Sequence, residues 1–284
     1  MAENGKKIGI VCCSNGMKKT NVEIIEKLKN VLLEMGLHPV FSDFIYEKDG
    51  VFSGTAGERA CALMELYEND EIKSIFDISG GDVANGILPY LDYECIGKSS
   101  KLFWGYSDLT TVINAIYAKT GKPSVLYQIR NLVSSHKVQQ TDDFRNTVLN
   151  GRDDLFQFRY HFIQNNEMHG IVIGGNIRCF LKLAGTEYMP DFKDKILLLE
   201  SRGGTVPQME TYLSQLKQLG AFEQAAGVLL GTFSQMEAEQ CIPTMESMIQ
   251  YFVPKRLPVA VTKNIGHGSD SKGIMIGSTA LFHE

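Results

Sequence analysis

Three side chains in this sequence have the chemistry of an activated hydroxyl: Ser107, Glu200 and His267. Ser107 follows a short apolar strand, Leu102 to Trp104, that runs through Gly105 into a sharp turn. Beyond the turn, Thr110 to Lys119 has helical spacing, with Val112, Ile113, Ile116 and Tyr117 on one side. A serine placed where a strand becomes a helix has the geometry of a nucleophile elbow. Its hydroxyl projects above the sheet, and the helix N-terminus favours developing negative charge. The match to G-x-S-x-G is partial, because Leu109 takes the second glycine position. Glu200 closes the apolar run Lys195 to Leu199, and His267 stands between Gly266 and Gly268. A serine hydroxyl is nearly inert at neutral pH unless a base takes its proton. An imidazole can take that proton and return it to a leaving amine, and a carboxylate can orient the imidazole. Singly, each residue also fits a plain role: a helix cap, a solvated strand end, a structural histidine in a glycine-rich loop.

The elements around them must therefore bring the three together. Ile8 to Cys12 is a continuous apolar run of strand length, as in a strand buried on both faces of a parallel sheet. The loop Ser14-Asn15-Gly16 follows, then a helix from Asn21 to about Met35, stopped by Gly36, and a second strand, His38 to Phe41. Residues 58–69 read as a helix and Ile72 to Ser79 as a third strand ending in Gly80-Gly81-Asp82. Asn85 to Leu91 reads as helical and Ser124 to Tyr127 as a further strand. This alternation predicts a doubly wound α/β sheet over residues 1–130, with ligands bound beyond the C-terminal ends of its strands. Both Gly80-Gly81 and Ser107 lie at such ends. A Gly-Gly pair there either exposes backbone N–H groups to an oxyanion or forms an ordinary tight turn.

Residues 131–168 are polar and read as a connection, with a helix near Asp142 to Asn150 and an edge strand near Leu155 to Tyr160. His136, His161 and His169, in or beside it, are expected at the surface or at a substrate rim. Residues 169–284 form a second, smaller mixed α/β domain. Its expected strands are Ile171 to Ile173, Lys195 to Leu199, Ala225 to Gly231, Val259 to Thr262 and Gly273 to Ile276. Its expected helices are Met209 to Leu219 and Glu237 to Phe252.

The chain has 284 residues, 44% hydrophobic and 21% charged, with a net charge of −5. That balance suits a globular protein rather than a disordered one and argues against a nucleic-acid or anionic-membrane surface. The N-terminal stretch lacks the apolar core of a secretory signal, and no run approaches the roughly 18 apolar residues of a membrane span, so a cytoplasmic location is expected. The six cysteines show no C-x-x-C pair, and no metal site is expected. Neither G-x-G-x-x-G nor a P-loop is present, and no cofactor is expected.

The motifs together resemble those of the serine LD-carboxypeptidase family, which includes murein tetrapeptide carboxypeptidases and microcin C immunity peptidases. The resemblance runs through Ile8-Gly9-Ile10-Val11, Ser79-Gly80-Gly81-Asp82, Leu88-Pro89-Tyr90-Leu91-Asp92, Gly105-Tyr106-Ser107-Asp108-Leu109-Thr110, Gly174-Gly175-Asn176, Leu183-Ala184-Gly185-Thr186, Ile196 to Glu200 and Gly266-His267-Gly268. Cys12-Cys13-Ser14 replaces the family's usual Ala-Pro-Ser, and Ser201-Arg202-Gly203-Gly204-Thr205 replaces a more acidic run. The resemblance implies a flavodoxin-like N-terminal domain, a swivelling C-terminal domain, a triad assembled across their interface, and a homodimer. It implies Ser107 as nucleophile, His267 as general base and acid, and Glu200 as its partner. Backbone N–H groups of Gly81 and Asp108 would form the oxyanion hole, and Gly80 and Asp82 are candidates for substrate contact. The reaction implied is release of a C-terminal D-amino acid from an L,D-linked murein tetrapeptide. An alternative is cleavage of an aminoacyl- or peptidyl-nucleotide, with Tyr160, Phe162 or Trp104 as a platform for the base. A second alternative is a non-catalytic ligand-binding module.

Overall fold

The computed structural model describes residues 6–284; Met1 to Gly5, part of the stretch read for a secretory signal, lie outside the described residues. Five strands, β1 (Lys6–Val11), β2 (Leu37–Phe41), β3 (Ile72–Asp77), β4 (Leu102–Gly105) and β5 (Ser124–Leu126), run parallel in the order β2-β1-β3-β4-β5. This is the flavodoxin-like order, whose strand connections change direction between β1 and β3. The C-terminal ends of those two strands are tied together. The Asp77 carboxylate accepts from the Cys13 N–H at 2.6 Å and the Ser79 N–H at 2.6 Å, and Ser79 Oγ accepts from the Ser14 N–H at 3.0 Å.

The second sheet contains β6 (His161–Gln164), β7 (Glu167–Asn176), β8 (Lys195–Ser201), β9 (Gly227–Phe233) and β10 (Val259–Val261). Two C-terminal strands follow, β11 (Ile274–Ile276) and β12 (Thr279–His283). Strands β7, β8, β9 and β10 are parallel neighbours, edged by antiparallel β12 and β6. Every residue of β8 is buried, which explains why it reads as an unbroken apolar run rather than an alternating one. Among the described residues the second sheet has six strands, as many as the first.

Several segments depart from the sequence expectations. The expected helix Glu237 to Phe252 is two helices, Ser234–Ala238 and Met245–Phe252. Gln240, left-handed at φ +51°, breaks the chain just after the first, and Thr244 starts the second by accepting from the Ser247 N–H. The strand expected near Leu155 to Tyr160 is instead a 3-10 turn, Asp154–Phe156, followed by irregular chain, and the strand begins at His161. Its apolar residues serve the first sheet: Leu155 is fully buried and Phe156 stacks on Trp104 at 6.1 Å. The stretch 131–168 is divided between the two sheets. Its helix, Lys137–Val148, buries Phe144 among Phe76, Trp104 and Tyr127, while β6 pairs with β10. The C-terminal part also crosses back, because β11 pairs antiparallel with β5.

The helix after Ser107, Thr110–Thr120, is buried on all sides from Thr110 to Ile116, more than the one-sided stripe expected. It lies between the sheets, and polar side chains bind it to the second. Asn114 Nδ2 donates to Gly174 O at 2.8 Å, and its Oδ1 accepts from the Gly174 N–H at 2.9 Å. Thr110 Oγ1 accepts from the Asn176 N–H at 3.0 Å. Asn114→Ala leaves both Gly174 groups buried and unpaired. We expect it to destabilise the protein by roughly 2–4 kcal/mol, read as a lower urea midpoint.

Candidate active site

Ser107 sits two residues beyond the end of β4 with φ +57°, a left-handed conformation unusual for a side-chain-bearing residue. Tyr106 before it is extended, and the short turn Ser107–Leu109 leads into the helix Thr110–Thr120. This is the elbow expected from the sequence, and the missing second glycine has a local compensation. A Cβ on Gly105 would lie 2.7 Å from Leu109 Cβ, so the glycine before the serine makes the room that Leu109 takes up.

Glu200 lies within β8, fully buried, and His267 is held in the loop between β10 and β11. His267 Nε2 is 3.1 Å from Ser107 Oγ, and His267 Nδ1 is 2.7 Å from Glu200 Oε2. With Glu200 accepting, Nδ1 carries the proton and Nε2 is the acceptor facing the serine hydroxyl. The three residues are thus one hydrogen-bonded chain, with Ser107 supplied by the first sheet and the other two by the second.

Tyr106, which the sequence reading placed only as a turn neighbour, joins this chain. Its hydroxyl donates to Glu200 Oε2 at 3.2 Å and lies 3.4 Å from His267 Nδ1, with the two rings 4.8 Å apart. Burial, and then the Glu200 charge, push the phenol well above its ordinary pKa, so it remains a donor. The only sequence signal for this role was adjacency to Ser107.

The glycine turn faces the elbow. Gly81 has φ +129°, and a Cβ there would collide with the Asn15 side chain at 2.2 Å, so no other residue fits. Among the described residues no hydrogen bond uses the N–H of Gly81 or of Asp108. The Asp108 side chain is fully buried and anchors the turn. It accepts from the Ser14 hydroxyl at 2.6 Å, the Ala84 N–H at 2.8 Å and the Lys182 ammonium at 2.5 Å. Gly80 O accepts from the Asn15 N–H at 3.2 Å, and exposed Asp82 is ion-paired with Arg178. Cys12 and Cys13 are buried, and burial raises both thiols well above their ordinary pKa. They are packing residues.

Two cavities meet at Ser107. One, of about 680 Å³, is lined by Asn15, Gly80, Gln128, Arg130, Arg202 and His267 among others; the second, of about 500 Å³, by Asp82, Asn176, Arg178 and Tyr212. Gly81 and Arg202 border both. The aromatic residues considered as a base platform lie elsewhere. Trp104 is only 4% exposed, inside an aromatic cluster, and Tyr160, which packs against Phe162 and Phe282, lines neither cavity, nor does Phe162. His136, His161 and His169 line neither cavity.

The fold and this site together define a two-unit α/β protein with a hydroxyl, an imidazole and a carboxyl group linked at the strand ends, an arrangement suited to hydrolysis. The chain belongs to the LD-carboxypeptidase family: residues 8–127 match its N-terminal domain and residues 169–281 its C-terminal domain. A putative carboxypeptidase of Treponema pallidum is 29% identical, over 83% of this chain and 77% of that protein. A probable murein peptide carboxypeptidase of Bacillus subtilis is 27% identical, over 91% of this chain and 84% of that protein. The crystal structure of an MccF-like protein from Bacillus anthracis superposes with a TM-score of 0.87 at 27% identity, covering 99% of this chain and 94% of that one. No helix among the described residues is long and apolar enough to cross a membrane.

Removing the cation that faces Asp108 strands a carboxylate with no solvent contact. Lys182→Met should therefore cost about 3–5 kcal/mol, measured by chemical denaturation, a larger loss than at any exposed ion pair such as Lys98–Glu94.

Proposed function

We propose that this protein is a serine carboxypeptidase that cleaves the amide between an L-configured centre and a C-terminal D-amino acid, typically the terminal D-Ala of a murein tetrapeptide. The observation that carries the reading is the continuous chain Glu200–His267–Ser107, with the serine held in a left-handed turn at the mouth of a cleft. Ser107 Oγ attacks the carbonyl carbon while His267 Nε2 takes the hydroxyl proton. Glu200 holds Nδ1–H and steadies the imidazolium. The oxygen that gains charge faces the N–H groups of Gly81 and Asp108. Collapse breaks the C–N bond, the amine leaves with the proton from His267, and an ester remains on Ser107. A water that His267 deprotonates then hydrolyses the ester and restores the enzyme.

The family resemblance, together with a fold shared with an MccF solved in complex with aspartyl sulfamoyl adenosine, supports a second reading, cleavage of an aminoacyl- or peptidyl-nucleotide amide. A nucleobase needs an aromatic face to stack on. Among the described residues the larger cavity beside Ser107, which holds the leaving-group acid His267, is lined mainly by glycine, polar and basic residues, with Tyr106 its one phenyl or indole ring, and Tyr212 lines only the smaller cavity. That lining favours the peptide.

Mass spectrometry of products tests the assignment. Wild-type protein should remove one D-Ala from an L,D-linked tetrapeptide, and Ser107→Ala should lower turnover by roughly 10⁴-fold or more. An active Ser107→Ala protein contradicts the mechanism. Cleavage of an aminoacyl sulfamoyl-adenosine alone moves the substrate to the second reading. The strain at position 107 has its own signature. Ser107→Gly should be inactive yet more stable than Ser107→Ala by about 1 kcal/mol, because only glycine accepts φ +57° without cost.

A further inference from the structure

The cavity that contains His267 is also lined by two arginines that form no ion pair among the described residues. Arg130 lies in the turn Ile129–Val133 after β5, and Arg202 follows β8 directly, two residues beyond Glu200. The first sheet therefore supplies one arginine and the second sheet the other. Among the described residues neither makes a salt bridge. Arg130 Nε is fully enclosed and has no hydrogen-bond partner among the described residues. Asp77, whose charge acts on Arg130, already accepts from the Cys13 N–H, the Ser79 N–H and the Ser79 hydroxyl. Burial, and to a smaller extent the like charge of Arg202, lowers the Arg130 guanidinium from its ordinary pKa. A buried donor without an acceptor and two like charges facing one cavity both destabilise the fold. An anion placed between them relieves both.

The position of His267 says which part of a substrate that anion belongs to. The acid that protonates the departing amine must face it, and His267 lines this cavity but not the one formed by Asp82, Asn176, Arg178 and Tyr212. The leaving residue therefore occupies the same cavity as Arg130. We propose that Arg130 and Arg202 form a subsite for the free α-carboxylate of the residue that is released. Planar guanidinium groups match a carboxylate with paired N–H donors in fixed geometry. This subsite would make the enzyme strictly an exopeptidase, removing one residue per turnover and rejecting a C-terminal amide. The inference rests on the carboxypeptidase reading and names the substrate group by which that reading selects the chain end.

Two readouts separate the subsite from the reaction. The first is cleavage of a D-Ala-terminated tetrapeptide and of its C-terminal amide. The second is calorimetric binding of the same two peptides to Ser107→Ala protein. Wild type should prefer the free acid, and Arg130→Gln or Arg202→Gln should reduce that preference by roughly tenfold to a hundredfold, mainly through KM, with Arg130→Lys recovering part of it. Arg130→Gln should not lower the melting temperature, since a cation whose enclosed Nε has no acceptor is removed; a structural arginine would behave oppositely. Equal binding of acid and amide, or an acid preference that survives in both glutamine variants, overturns the subsite whatever the enzyme cleaves. Arginine-dependent binding of the acid without cleavage by wild type retains the subsite and overturns the carboxypeptidase reading. Absence of both binding and cleavage overturns the two together.

Discussion

A carboxyl group removed from water must find donors, and the Glu200 side chain finds them only at the junction of the two sheets. Its Oε2 receives His267 from its own unit and Tyr106 from the other, so the carboxyl group both orients the imidazole and docks the elbow. The helix behind Ser107 completes the lock, since Asn114 and Thr110 satisfy backbone groups of Gly174 and Asn176. Burial of one acidic side chain thus constrains the placement of the serine, the histidine and the boundary between sheets. Breaking that pairing leaves charge in a dry interior, which is far more costly than losing an exposed ion pair.

Much of the site was legible because its chemistry needs particular residue types at strand ends. Ser107 was marked by the strand-to-helix change, Glu200 by the apolar run before it, and His267 by its flanking glycines. The doubly wound sheet followed from the alternation of apolar runs and helical stripes, and its flavodoxin-like order from the family resemblance. Segments whose role is set by distant partners were not legible. The helix Lys137–Val148 looked polar because one face meets solvent, and only the tertiary fold reveals Phe144 inside the first core. The return of β11 to β5 is a long-range pairing with no local signature. Tyr106, Arg130 and Arg202 carried no motif, because their roles come from what surrounds them.

The site keeps three features that oppose stability. Ser107 is in a conformation that disfavours a side chain, Arg130 has an enclosed donor without an acceptor, and Glu200 Oε1 is buried without a partner among the described residues. Such features persist where the surrounding structure holds them and a ligand gains from them. By contrast Asp77, equally buried, has its oxygens occupied by Cys13 and Ser79 and serves to join β1 to β3.

The central claim is that His267 activates Ser107 as a nucleophile. Labelling with a fluorophosphonate, followed by peptide mapping of the modified residue, tests it most directly. The account predicts a single adduct on Ser107 whose rate of formation falls by orders of magnitude in His267→Gln. An adduct at another residue, no adduct at all, or an equal rate in the variant would contradict it.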